Sequence, residues 1–269
     1  METLDRGQLL GRAAGVAFAA STLGALSELA WAAPPSGRAL RELDRALAGD
    51  VVTPSESRYT SARLLFNTRF DAIKPRAIAF CENAADVQKA VRWARKHDVR
   101  ISARSGGHSY GGYSAGPGLV VDVSRIDGIS VNPQARTATI GAGARLIDVY
   151  AELWKHGLAI PGGSCPSVGI AGLALGGGVG FSSRKLGLTS DNVRGLRIVT
   201  ADGRARNASA REHGDLFWAC RGGGGGNFGV ATSFAFRAHP VGNVATYAID
   251  WPWSDALEAV AAWQRFAPR

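Results

Sequence analysis

The sequence predicts an α+β fold, with helices and short strands mixed and no strict β-α alternation. Three observations carry that expectation. Short strand-like segments recur between turn signals, and only a few windows show helical periodicity. The stretch Pro161 to Phe181, nearly free of ionisable groups, holds eight glycines in 21 positions. Its 269 residues allow one large domain or two smaller ones with a sizeable core.

In chain order, Ala33 to Ser57 is rich in Pro, Ser and Arg and reads as a spacer with one short helix, Arg38 to Leu47. Residues 33–70 are therefore expected to be a linker with an N-terminal helix, and the folded domain to begin near Phe70. Ile78–Cys81 is a strand. Asn83 caps a helix that carries Asp86 at its third position and Val87, Ala90, Val91 and Ala94 on one face. Arg100–Ala103 is a strand that runs directly into a glycine-rich loop. Leu119–Val123, Ile129–Val131 and Thr137–Ile140 follow, with turns at Asp127-Gly128 and Asn132-Pro133.

Leu146 to Trp154 is helical, with Leu146, Val149, Tyr150 and Leu153 on one side. Val193–Thr200 and Arg204–Ala208 flank Ala201-Asp202-Gly203 as a hairpin. Asp215–Cys220 is a short helix, Gly222–Gly226 a run of glycines, and Val230–Arg237 a strand. Val244 to Trp251 reads as a further strand, and Ser254 as the cap of a helix through Leu257, Val260, Ala261 and Phe266.

The net charge is +9, but the arginines are spread over the chain and form no basic run, which argues against a nucleic-acid partner. Three widely spaced cysteines, Cys81, Cys165 and Cys220, contain no C-x-x-C pair, so neither a zinc site nor a disulfide framework is expected. Arg6 and Arg12 precede an apolar run from Ala13 to Leu26, and Ala30-Trp31-Ala32 is an A-x-A processing site. Residues 1–32 therefore read as an export signal. The alternative is a membrane anchor. The run is short, broken by Ser21, Thr22 and Gly24 and followed by Glu28, which favours cleavage, an extracytoplasmic protein and no stable anchor after processing. Asp5-Arg6-Gly7-Gln8-Leu9-Leu10 resembles a twin-arginine signal that lacks the second arginine.

Glycine at the density of Pro161 to Phe181 gives up entropy and packing, which makes sense where a flat cofactor or phosphate chain must approach the backbone. The interleaved Val168, Ile170, Leu173, Leu175 and Val179 point to burial rather than a flexible linker. Gly224-x-Gly226-x-x-Gly229 matches the dinucleotide fingerprint, but it follows a helix and leads into a strand, the wrong context. Gly107-His108-Ser109-Tyr110-Gly111 matches a nucleophile elbow. Gly111, Gly112, Gly116, Pro117 and Gly118 follow where a helix is needed, which leaves a serine hydrolase on Ser109 as a minor alternative. No G-x-x-x-x-G-K-[ST] is present. What survives is an anion cradle: successive N–H groups in Ser105-Gly106-Gly107-His108-Ser109 form a concave nest for phosphate oxygens. His108, between glycine and serine on that loop, faces ligand or solvent.

On the segments Arg104 to Tyr110, Gly163-Ser164-Cys165-Pro166-Ser167-Val168-Gly169, Gly176-Gly177-Gly178-Val179-Gly180, and Asp215-Leu216-Phe217-Trp218-Ala219 with Arg221 to Val230, the chain resembles the berberine bridge enzyme-like flavoproteins. These have the PCMH-type, or vanillyl-alcohol-oxidase-type, FAD-binding fold. The resemblance covers roughly Asp71 to Pro240. It implies a two-subdomain FAD-binding domain over 71–240, then at 241–269 the truncated start of an antiparallel-sheet substrate domain.

It implies FAD as cofactor, with His108 linked to the 8α-methyl of the isoalloxazine and Cys165 to its C6. Ser105 to Ser109, including Gly106 and Gly107, would hold the pyrophosphate, and Arg104 at the head of the loop is a further cofactor-binding residue. Val168, Gly169, Gly172 and Leu173 would run along the flavin and ribityl chain. Asp191, Asn192, Val193, Gly229 and Val230 would lie by the adenine half or the diphosphate, and Pro161 and Gly162 would shape the loop entering the site. Cys81 and Cys220 match no attachment position and read as core. The implied reaction takes a hydride from an alcohol, sugar or amine carbon of a small-molecule substrate. Val168, at the position like the family's oxygen gate, leaves room for dioxygen and implies an oxidase. The family's catalytic base lies in the C-terminal part missing from this sequence, so no residue is named as base. A non-catalytic flavin-binding fragment is the other reading.

Overall fold

The computed structural model describes residues 36–245 and 247–267. The expected export signal, residues 1–32, lies outside them.

Ser36 opens the first helix, α1 (Gly37–Ala46), its hydroxyl accepting from the Ala39 N–H. Strand β1 (Asp50–Val52), the short α2 (Tyr59–Ala62), β2 (Ala77–Phe80), α3 (Ala84–Lys96), β3 (Ile101–Arg104) and β4 (Leu119–Asp122) follow. They build a four-stranded sheet of order β1-β2-β4-β3, in which β2, β4 and β3 are parallel and β1 is antiparallel to β2. Parallel strands buried on both faces need unbroken apolar runs. Ala77, Ile78, Ala79, Leu119, Val120 and Val121 supply them. Val87, Ala90, Val91 and Ala94 of α3 cover one face, while Val52 and Tyr59 meet Ile78 and Val120 on the other.

The second half adds β5 (Ile129–Asn132), β6 (Thr137–Gly141), α4 (Leu146–Trp154), β7 (Leu158–Ala159), α5 (Ile170–Leu175), α6 (Ser183–Leu186), β8 (Val193–Val199), β9 (Ala205–Ser209), α7 (Gly214–Ala219), β10 (Val230–Arg237), β11 (His239–Pro240) and α8 (Ala256–Phe266). Its main sheet is antiparallel, in the order β5-β6-β10-β8-β9. Period-two alternation turns Ile140, Leu196, Ile198, Phe234 and Phe236 inward. One apolar cluster joins both halves, and the architecture is α+β.

The structure departs from the sequence-based expectations in three places. The fold begins well before Phe70. Leu43 and Leu47 are buried, β1 pairs with β2, and the fully buried Asp86 carboxylate accepts hydrogen bonds from the Ala48, Gly49 and Glu82 N–H groups. The apolar spacing of Ala39, Leu43 and Leu47 outweighs the spacer-like composition around it. The stretch expected as a strand, Val244 to Trp251, forms none among its described residues, where Val244, Tyr247, Ile249 and Trp251 are exposed. A strand needs a neighbour to take its N–H and C=O groups, and no described strand lies alongside. Finally, α8 starts after Asp255, and Ser254 instead donates its hydroxyl to the Asp255 carboxylate.

Candidate functional site

Three glycine-rich segments converge where β3 ends. The first, Ser105 to Ser109, leaves β3 and turns at Gly107, whose φ is +70°. Ser105 Oγ donates to the Ala142 carbonyl at 2.7 Å and anchors its start. The second precedes α5 and is pinned across the start of α4. Leu146 N–H bonds Val168 O, Ile147 N–H bonds Pro166 O, and Ile170 N–H bonds Ala144 O. These two segments cross with no side chain between them. A Cβ built on Gly106 falls no farther than 3.0 Å from Ser167 O and the Gly169 backbone. The third is the Gly222–Gly226 run leading into β10. Its Gly222 and Gly224 N–H groups bond the Leu175 carbonyl at the end of α5.

Between them lies a cavity of about 360 Å³. Of the residues expected in the site, Arg104, Ser105, Gly106, Gly107, His108, Ser109, Cys165, Val168, Gly169, Gly172, Leu173, Gly229 and Val230 line it. Pro161 and Gly162 do not line it. The Pro161 carbonyl accepts from Thr189 Oγ1, and the next residue, Gly163, accepts from the Tyr150 hydroxyl at 2.7 Å. Asp191, Asn192 and Val193 do not line the cavity. Asp191 caps the Leu188 N–H, Asn192 bonds the Leu186 and Leu188 carbonyls and His239, and Val193 is buried in β8.

His108 is half-buried, its ring stacked on Phe66 at 4.0 Å between centroids and 20° between planes. Its Nε2 lies 2.9 Å from Ser167 Oγ. Burial pushes its pKa below the ordinary histidine value. Cys165 is exposed and lines the same cavity. Cys81 and Cys220 are buried in the core, and burial raises both thiols, Cys220 to about 11, which leaves them as unreactive packing.

The Arg104 side chain is only 5% exposed and donates through Nε to Asp122 Oδ2 at 2.5 Å, while its Nη1 is buried with no hydrogen-bond partner among the described residues. A buried donor of that kind invites an anion. Ser109 does not sit in a nucleophile elbow. A turn follows it, and its Oγ accepts from the Tyr113 N–H.

The residues missed from the sequence are Phe66, Ser167, Tyr110, Tyr113, Gly225 and Gly226. Phe66 falls in the segment expected to be a linker and Tyr113 just beyond the Arg104 to Tyr110 motif, and the others sit inside quoted motifs where their residue type alone assigns no role.

Residues 75–209 match the FAD binding domain family. The chain belongs to that family. An uncharacterized FAD-linked oxidoreductase of Bacillus subtilis is 41% identical over 227 residues, 82% of this chain and 50% of that protein. A carbohydrate oxidase of Microdochium nivale is 41% identical over 217 residues, 76% of this chain and 43% of its own. Among solved structures, the BBE-like 1 protein of Physcomitrella patens superposes with a TM-score of 0.71 at 42% identity, covering 74% of this chain and 44% of that one. The chain spans about half the length of the curated relatives it matches.

FAD is the cofactor of this domain, and the cavity's chemistry fits it. Gly172 presents open space on the cavity side, where a Cβ would meet nothing within 4 Å. Together with Gly225 and Gly226 it keeps a trough clear for a flat group, beside the Ser105–Ser109 loop and an Arg104 Nη1 unpartnered among the described residues.

The Tyr150 hydroxyl gives a pH signature. Burial raises its pKa to about 12 from an ordinary 10. A phenol whose folded pKa is raised stabilises the fold fully below pH 10, and that contribution is lost as pH rises toward 12. Urea midpoints taken from pH 9 to 12 should fall more steeply for the unaltered protein than for Tyr150→Phe. Parallel profiles would place the phenol in water.

Proposed function

We propose that this protein is an FAD-dependent oxidase that takes a hydride from an alcohol, sugar or amine carbon, with its flavin attached twice, through His108 to the 8α-methyl and through Cys165 to C6. The observation that carries this reading is the meeting of His108 and Cys165, from separate glycine-rich segments, on one cavity wall. FAD bound there supplies a two-electron acceptor. The Ser105–Ser109 amides and the Arg104 guanidinium bind its diphosphate. Gly172, Gly225 and Gly226 leave the backbone near its flat faces. Val168, half-buried in the wall, leaves more room for dioxygen than leucine, which supports the oxidase assignment. The carbohydrate oxidase relative supports a sugar or other small alcohol as substrate. Arg6, the apolar run and Ala30-Trp31-Ala32 support export with loss of residues 1–32.

The test is the visible spectrum of denatured, desalted protein. The unaltered chain should stay yellow, and His108→Ala or Cys165→Ala should each keep one link and the colour. Only the double variant should release all its flavin. Release from unaltered protein by acid alone overturns the double attachment, and oxygen uptake with a panel of sugars, alcohols and amines tests the oxidase assignment.

A further inference from the structure

Ser167 has no part in the cofactor contacts above, yet among the described residues it makes the one side-chain hydrogen bond to His108, Oγ to Nε2 at 2.9 Å. It belongs to the segment that carries Cys165 and is pinned to α4 through Pro166 and Val168. Phe66 closes the other side. Its N–H donates to the Gly107 carbonyl at 3.2 Å, and its ring stacks on the imidazole. The imidazole is thus held in plane by one segment and by one ring nitrogen from another.

We propose that Ser167 is a positioning residue that fixes the tautomer of His108: Ser167 Oγ accepts from Nε2–H, which leaves Nδ1 as the unprotonated nitrogen that attaches to the flavin. The inference rests on the attachment of His108 proposed above. A neutral imidazole carries one N–H and one lone pair. Burial lowers the His108 pKa, which favours that neutral form. If Ser167 donated instead, the Nε2 lone pair would be occupied and Nδ1 would carry the proton, leaving no nitrogen free to attack. Only the accepting arrangement leaves one.

Attachment forms the bond from Nδ1 to the 8α-carbon and breaks one C–H bond of the methyl group. The electron pair of that C–H bond passes into the isoalloxazine, which is reduced by two electrons. The released proton returns through solvent to the reduced ring, and the imidazole, still holding Nε2–H, is left cationic. Dioxygen then takes two electrons and two protons, one of them that of the imidazolium, and leaves as hydrogen peroxide.

Two measurements test this. In the flavin-free 269-residue chain labelled with 15N-histidine, the His108 ring shifts should report Nε2–H in the unaltered chain and lose that preference in Ser167→Ala. In a Cys165→Ala background, where only the His108 link is counted, Ser167→Ala should slow covalent flavin uptake on the order of tenfold, the factor matching one lost net hydrogen bond. Ser167→Thr, which keeps the hydroxyl, should restore both. An Nδ1–H tautomer in the unaltered protein, or unchanged shifts and rate in Ser167→Ala, overturns the role of Ser167. If the Cys165→Ala protein holds no covalent flavin that His108→Ala removes, the attachment reading fails instead, and the ring shifts still decide the tautomer.

Discussion

Gly169→Ala should distort the site and cost about 3 kcal/mol of stability, the upper end of the usual range for overpacking a core. A Cβ at Gly169 falls no farther than 3.0 Å from Ser105 Oγ, Gly106 N and Gly106 Cα. Ser105 Oγ can swing aside only by giving up its bond to Ala142 O, and the Gly106 backbone cannot move while residues 166–170 stay bonded to the start of α4. Relief requires the two segments to separate, which opens the cavity wall that both provide. Against a typical stability of about 5–15 kcal/mol, that is a large fraction. Gly172→Ala is the matched control. It sits inside α5, where a Cβ meets nothing within 4 Å, so alanine should add about 0.5–1 kcal/mol of helix stability. Its methyl should nonetheless project into the trough and lower flavin content. The urea midpoint should therefore fall in Gly169→Ala and rise in Gly172→Ala, while bound flavin falls in both. A Gly169→Ala protein as stable as its parent would mean that the close crossing does not exist.

Much of this was legible because local rules and tertiary packing agree. Asn83 caps α3, Ala201-Asp202-Gly203 turns between β8 and β9, and the inward faces of α3 and α4 follow from apolar spacing. The close approach of Ser105 to Ser109 and Gly163 to Gly169 was legible because both contain glycines whose cost makes sense where backbone must come close. What was not legible depends on partners distant in sequence. Helix α5 lies inside the glycine-rich stretch because its ends are tied elsewhere, Ile170 N–H to Ala144 O and Leu175 O to the amides of Gly222 and Gly224. Segment 36–52 has spacer-like composition, and what holds it is distant in sequence: the β1–β2 pairing and the buried Asp86 carboxylate. Asp191 and Asn192 were placed beside the cofactor by motif position, but their side chains close the loop after α6.

Asp122→Ala should be the most damaging change outside the glycines, at about 3–5 kcal/mol, the usual consequence of stranding one member of a buried ion pair. Asp122 and Arg104 are 3% and 5% exposed, on neighbouring strands at paired positions. The carboxylate accepts from Arg104 Nε through one oxygen and from the Ser124 N–H through the other. Without it the guanidinium stays buried without its counter-charge, and among the described residues Nη1 is already unpartnered. The double variant Arg104→Met with Asp122→Leu separates fold from function. An apolar pair of similar volume often matches or exceeds a buried ion pair in stability. That variant should recover most of the lost urea midpoint, yet it removes the cation beside the phosphate nest, and its flavin content should stay low. If it is as stable as the parent and equally yellow, Arg104 serves the fold alone and the diphosphate is held by the Ser105–Ser109 amides without it. If Asp122→Ala alone costs less than about 1 kcal/mol, the pair is solvated and the buried-charge argument fails.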